Sequence, residues 1–273
     1  MLGVCWRLNH YDPAPMKIAT WNVNSLKVRL PHVLDWLAAT QVDVLCLQET
    51  KMEDRAFPFA ELEAFGYHTA HNGQKTYNGA AILARRGLTE VRRDIPDFAD
   101  EQKRVVAATV EGVRIICAYM PNGQEVGADK YQYKLRWLAA LAGYVGEELQ
   151  RWPQLALLGD YNIAPDDRDV HDPIAWTDRI LCSEPERAAF RRLLDLGLAD
   201  AFRLFEQPPK TYSWWDYRQM GFRRNHGLRI DHILLSGPLA AVCRSCVIDK
   251  APRKLERPSD HAPVMATLDV PSP

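Results

Sequence analysis

The stretch VVAATVEGVRIICAY, residues 105–119, decides the class of fold. Two apolar runs rich in β-branched residues, 105–110 and 113–119, flank Glu111-Gly112, a two-residue connection suited to a tight hairpin. Antiparallel pairing is therefore built in at this point. Working outward, further strand-like runs occupy 18–23, 42–47, 80–84, 155–158, 229–235 and 264–268. Helical spacing lies between them: Leu30, Val33, Leu34 and Leu37 share one face, and the pattern returns across 131–149. A third helix starts at a capping box, Ser183 with Glu186, buries Phe190, Leu193 and Leu194 on one side, and stops at Gly197. Strands and helices interleave with no Gly/Ser-rich or Pro-rich linker, so residues 16–273 read as one domain. Mixed pairing with helices outside predicts an α/β fold, a four-layer α-β-β-α sandwich of two packed mixed β-sheets flanked by helices.

The 273 residues are 47% hydrophobic and 25% charged, which excludes disordered and fibrous classes. No apolar run approaches the roughly 20 residues of a membrane-spanning helix, and residues 1–15 lack a signal peptide's apolar stretch. A cytoplasmic protein without a membrane partner is expected, with 1–15 as a loose extension and a monomer as the simplest state. Cys46 and Cys117 lie in apolar runs and read as small buried hydrophobes. Cys243 and Cys246 have no second pair to complete a zinc site and are expected on a late strand. The net charge of −1 means that any attraction for nucleic acid is local. Arg85-Arg86, Arg92-Arg93, Arg223-Arg224 and the group Lys250, Arg253, Lys254, Arg257 could supply it, with solvated surface charge as the alternative for each.

Polar residues gather where the apolar runs end. Asn22 and Asn24 follow the first, Gln48 and Glu49 the second, Tyr119 and Asn122 the hairpin, and Asp160 and Asn162 the run 155–158. Asp231 and His232 fall inside a later strand, and Asp260-His261 shortly precede the last. Asp160 and Asn162 are two apart, so an extended chain would aim both at one face, whereas a turn is the other use of such residues. Glu49 at the mouth of a buried strand needs a partner. Lys51 could satisfy it. The alternative sets it with Asn22 or Asn24, Asp160 and Asp260, an all-oxygen group that suits Mg²⁺. Asp231 and His261 could form a carboxylate–imidazole pair that fixes the ring's tautomer.

Taken in order, Trp21-Asn22-Val23-Asn24-Ser25, Leu47-Gln48-Glu49-Thr50-Lys51, Tyr77-Asn78-Gly79, Tyr119-Met120-Pro121-Asn122-Gly123, Gly159-Asp160-Tyr161-Asn162, the segment Tyr212 to Arg218, Gly227-Leu228-Arg229-Ile230-Asp231 and Ser259-Asp260-His261 resemble the exonuclease III and abasic-endonuclease family. The resemblance spans almost everything from Met16 onward. It implies Mg²⁺-dependent hydrolysis of phosphodiesters in double-stranded DNA, with Mn²⁺ as a second candidate ion. The activities implied are cleavage 5′ to an abasic site, removal of blocked 3′ ends, and 3′ to 5′ digestion from ends or nicks. By position, Glu49 would bind metal with Asn22, Asn24 and Asp260, and Asp160 and Asn162 belong to the same metal-binding set. Asp160 would orient or deprotonate water, and Asn162 would steady the transition state. His261, paired with Asp231, would contact the scissile phosphate, and Tyr119 would donate to its oxygen or to the leaving group. Asn122 joins the DNA-contacting set.

Trp214, Trp215 and Leu228 are expected to form an apolar pocket for an abasic sugar, which leaves the duplex with little stacking lost. Core packing is the alternative for the two tryptophans. In Asp169-Val170-His171-Asp172-Pro173, His171 places a bulky ring where internally cutting relatives carry a small residue, which favours 3′-end cleaning. A phosphatase or lipid phosphodiesterase of the same fold, or a non-catalytic DNA-binding module, are the competing readings.

Overall fold

The structure, a computed structural model, describes residues 15–270; the expected loose segment 1–15 lies outside these apart from Pro15. One six-stranded sheet runs in the order β13 (Cys243–Ile248), β14 (Val264–Leu268), β1 (Met16–Asn22), β2 (Val44–Gln48), β4 (Ala80–Ala84), β3 (His68–Asn72). The other runs β5 (Thr89–Arg93), β6 (Val105–Val110), β7 (Val113–Tyr119), β8 (Leu155–Asp160), β12 (Asp231–Ser236), β9 (Leu198–Asp200). A two-residue pair, β10 (Trp214–Trp215) and β11 (Gly227–Leu228), stands apart.

The sheets pack face to face through Ile18, Cys46, Ile82, Ile115, Cys117, Leu158, Ile233 and Ala266, all buried. Outside the first sheet, α1 (Leu26–Thr40) and α2 (Phe59–Ala64) bury Val33, Leu37 and Leu62 on Leu45, Leu47 and Leu83. Outside the second, α3 (Asp129–Arg151) and α5 (Glu184–Asp195) set Trp137, Leu141, Phe190 and Leu193 on Ile116 and Leu157. The layers are therefore α-β-β-α. The capping box of Ser183 and Glu186 forms as expected, because it satisfies two amides at the start of α5.

Most strands pair antiparallel, but β1 with β2 and β7 with β8 are parallel. Each parallel pair is joined by a crossover helix, α1 and α3, as such pairs require. This topology positions the site. The carboxyl ends of β1, β2, β7 and β8 share one rim of the sandwich, where Asp231 of the antiparallel β12 pairs with Asp160. A side chain at Gly159 would place its Cβ 1.8 Å from Ala118 O, so the close approach of β7 and β8 requires the glycine just before Asp160.

Several expectations change. Strands β3, β5, β9 and β13 were not legible as apolar runs; β5 is exposed along its length at a sheet edge, and β9 has three residues. The run at 42–47 shifts to Val44–Gln48, and that at 229–235 begins at Asp231. Cys243 and Cys246 do lie on a late strand, β13. Arg85-Arg86 follow the end of β4 that pairs with Val44, opposite the rim. There Arg85 covers the Tyr67 ring and Arg86 meets Glu111, so the pair belongs to the far surface. Arg253 is buried over the rings of Trp215, Tyr217 and Phe222, whereas Lys250, Lys254 and Arg257 are exposed.

Candidate active site

Asn22 ends β1 and spans the two sheets: its Nδ2 donates to Glu49 Oε1 and to Asp160 Oδ2, each at 2.9 Å. Glu49 follows β2 with φ 53°, and Lys51 has φ 54°, so the chain doubles back at the carboxylate. Backbone bonds hold that turn, from Ser25 N to Glu49 O and from Lys51 N to Asn78 O. The Lys51 ammonium sits 2.8 Å from Glu49 Oε2 and 2.6 Å from Asn24 Oδ1. Asn24 Nδ2 donates to Asp260 Oδ1, and Trp214 Nε1 to Asp260 Oδ2. Tyr119, at the end of β7, donates its hydroxyl to Glu49 Oε1 at 2.9 Å.

Asp160 is buried. Its Oδ1 accepts from Asn162 N at 2.9 Å, and its Oδ2 from Asn22 and, at 3.3 Å, from Asn162 Nδ2. Asn162 has φ 50°, so the chain is not extended there and shared strand face is not what unites the two residues. A turn does, with the Asp160 carboxylate capping the backbone two residues on. Asn122 Nδ2 completes the row by donating to Asn162 Oδ1 at 3.1 Å. His261 Nδ1 lies 2.9 Å from Asp231 Oδ2, and its Nε2 faces Asp160 Oδ2 at 3.8 Å.

The electrostatics follow from this packing. Burial pushes the Asp160 carboxyl up to about 7, with Asp231 adding to the rise against His261 and the amide donors. Burial opposes charge on His261, but Asp231 and Asp160 outweigh it and hold the imidazolium up to about 10. Glu49 and Asp260 feel burial too, yet Lys51 beside the first and His261 beside the second keep both below the usual carboxylate range. Burial and the nearby carboxylates push the Tyr119 hydroxyl well up, so it stays a donor.

Glu49, Asp160, Asn162, His261, Asp231, Asn22, Asn24, Asp260, Tyr119 and Asn122 thus meet at one rim. Ser213, which carried no expected role, belongs with them: its hydroxyl donates to Asp231 Oδ2 at 2.7 Å and accepts the amides of Ile230 and Asp231. Ser259 also ties in, donating to Asn22 O. Neither serine differs from a loop serine in sequence except by its neighbours Trp214 and Asp260. The three-sided pocket of Trp214, Trp215 and Leu228 does not form. Trp215 and Leu228 are fully buried, in separate clusters, because side chains alternate along β10 and Leu228 is covered by Val170 and Leu181. Trp214 alone of the three lines a cavity of about 370 Å³, with His171, Trp176, Arg179, Arg218 and His226. The His171 ring stacks on His226 at 4.8 Å and 9°. Across the site, Tyr77, Arg104, Tyr119, Asn122, Lys130 and Tyr133 line a second cavity of about 770 Å³.

Whether the site suits a cation can be tested on charge and donor type. When all are ionised, Glu49, Asp160, Asp231 and Asp260 face Lys51 and His261, four negative against two positive groups. The Lys51 ammonium already bridges Glu49 and Asn24. Glu49 and Asp260 supply hard carboxylate oxygens that fit a divalent ion, whereas the amide oxygens of Asn22 and Asn24 accept from Asn24 N and Lys51 and would join only on releasing those donors. Asp160, Asp231 and His261 also offer atoms within 4.8 Å of one another, but His261 Nδ1 is engaged by Asp231.

The sequence pattern of the endonuclease/exonuclease/phosphatase family matches residues 19–261. The chain belongs to that family. Exodeoxyribonuclease III of Haemophilus influenzae is 38% identical over 92% of this chain and 99% of its own length. A solved Neisseria 3′ phosphatase, NExo, bound to a product DNA hairpin, is 49% identical, with a TM-score of 0.92 over 93% of this chain and 100% of that one. An AP endonuclease from Archaeoglobus fulgidus is 38% identical, with a TM-score of 0.90 over 93% and 100%. The endonuclease/exonuclease/phosphatase nucleases depend on divalent metal, and this member is a DNA repair nuclease of the exodeoxyribonuclease III and AP endonuclease type. Among the described residues no helix is long and apolar enough to cross a membrane.

Proposed function

We propose that residues 16–273 form one catalytic domain that hydrolyses phosphodiesters of double-stranded DNA with Mg²⁺, and that it processes blocked 3′ ends in preference to cutting at internal abasic sites. The observation that carries the chemistry is the bridge from Asn22 to both Glu49 and Asp160, which sets a cation-binding carboxylate and a proton-accepting one around a single amide. Glu49, Asp260, Asn22 and Asn24 would hold the ion, which when bound polarises a phosphoryl oxygen and neutralises charge on the leaving oxygen.

The remaining steps belong to the side chains. Asp160, ionised beside a divalent ion, takes the proton of the attacking water. Asn162 directs its amide hydrogens at Asp160 and Met120 O, so its first task is to orient that carboxylate. The Nε2–H of the His261 imidazolium donates to the scissile phosphate, its ring held by Asp231 and Ser213. Tyr119 donates to a phosphate oxygen or to the leaving group.

The preference for 3′ ends rests on His171. Its ring and the stacked His226 line the Trp214 cavity and would narrow it for an extruded abasic nucleotide. The relative named a 3′ phosphatase supports the same reading. Matched duplexes with an internal abasic site, a 3′ phosphate or a plain recessed 3′ end, incubated with Mg²⁺ or with chelator, test both claims. The 3′ phosphate should be processed fastest and chelator should stop all three reactions; fastest cleavage at the internal site would refute the preference.

A further inference from the structure

Lys134 is fully buried on the second turn of α3, where an ammonium is tolerated only with partners. Its donors find three: Asn122 O at 3.1 Å, Asn162 O at 2.7 Å, and the Glu186 carboxylate. The first two are backbone carbonyls of the loops that leave β7 and β8. Neither Asn122 nor Asn162 lies in a helix or strand, so no ladder of hydrogen bonds fixes them. Asn162 moreover holds a left-handed φ of 50°, a conformation that needs support from its surroundings.

The support is itself anchored. Glu186 Oε2 accepts from Ser183 N at 3.1 Å, and its Oε1 accepts from Leu181 N at 3.1 Å, so the ammonium is tied to the start of α5. The Lys134 stem also backs the first loop, since a Cβ at Gly123 would come within 3.0 Å of its Cδ. From Asn162 the chain of contacts continues to the reacting groups, because Asn162 N donates to Asp160 Oδ1 at 2.9 Å.

We propose that Lys134 is a positioning residue of the hydrolytic site, holding Asn162, and through it Asp160, in place against Asn122. The inference rests on the roles proposed above for Asp160 and Asn162. A purely structural ion pair makes a different forecast, since buried pairs can often be exchanged for apolar residues without loss of stability. Holding a carboxylate in attack geometry is more demanding, because a displacement of about 1 Å can cost a hundredfold in rate.

The test compares the full chain with Asp160→Asn, with Lys134→Met/Glu186→Gln, which keeps an acceptor for the amides of Leu181 and Ser183, and with the triple variant, measuring kcat and KM on a 3′-phosphate duplex with Mg²⁺, and Tm. The paired variant should melt cooperatively, lose about tenfold to a hundredfold in kcat and keep KM nearly unchanged. Added to Asp160→Asn, which removes the carboxylate being positioned, it should cost far less than the product of the separate losses, as for residues that act as a unit. Lys134→Gln, with two donor hydrogens on one nitrogen and no charge, provides the same comparison should the paired variant not fold. Unchanged kcat, or losses that multiply in full, would overturn the proposal. Wild-type kcat in Asp160→Asn would instead remove the role proposed for Asp160, and this inference with it.

Discussion

His261 Nδ1 stands 2.9 Å from Asp231 Oδ2, and both groups are buried. The carboxylate fixes which ring nitrogen faces Asp231 and leaves Nε2 turned toward Asp160. Asp231→Asn keeps the shape but removes the charge. We expect kcat to fall about a hundredfold or more with a small change in KM, as when an imidazole loses its orienting carboxylate. In an NMR titration the His261 midpoint, near 10 in the wild type, should move down toward the ordinary histidine range. An unmoved midpoint would show that Asp231 does not hold the ring.

Metal-free protein should lose stability as pH rises. Asp160 and His261 are both raised, to about 7 and about 10, so each binds its proton more tightly in the fold than in the unfolded chain. The Asp160 contribution is full below the ordinary carboxylate range near about 4 and lost as pH climbs through about 7; that of His261 is full below about 6.5 and lost through about 10. In chelator, Asp160→Asn should therefore match the wild-type Tm below about pH 4 and exceed it by a margin that grows from about pH 4 to pH 7. A Tm gap that stays constant from pH 5 to 8 would contradict this.

Replacing His171 by glycine removes the ring that stacks on His226. The rate of cleavage at an internal abasic site should rise relative to 3′-phosphate removal by about tenfold, the scale on which pocket shape discriminates substrates. An unchanged ratio eliminates His171 as the determinant.

Leu228 separates packing from recognition. It is fully buried among Val170, Leu181 and Ile230, so Leu228→Ala should destabilise the protein by about 2–5 kcal/mol, read from denaturant melts. KM for DNA should stay at the wild-type value when assayed well below Tm. A raised KM with unchanged stability would return Leu228 to the DNA-contacting surface.

Much of this protein could be read along the chain. The hairpin at 105–119 required antiparallel pairing, the interleaved helices required layers, and the polar residues ending apolar runs marked one rim as chemically distinct. Those signals are local, since periodicity and turn chemistry act over a few neighbouring residues. What the tertiary structure decided are matters of distance and side. Asn24 meets Asp260 across 236 positions because β14 starts, antiparallel, beside the end of β1, and Asn22 meets Asp160 across 138 because β1 and β8, from different sheets, end at the same rim. The left-handed turn at Asn162, the inward Trp215 beside the outward Trp214, and the burial of Leu228 and Lys134 depend on which remote surfaces cover them. Adjacent residues cannot encode that, because the energy of burying a side chain is set by the partners that the completed fold brings against it.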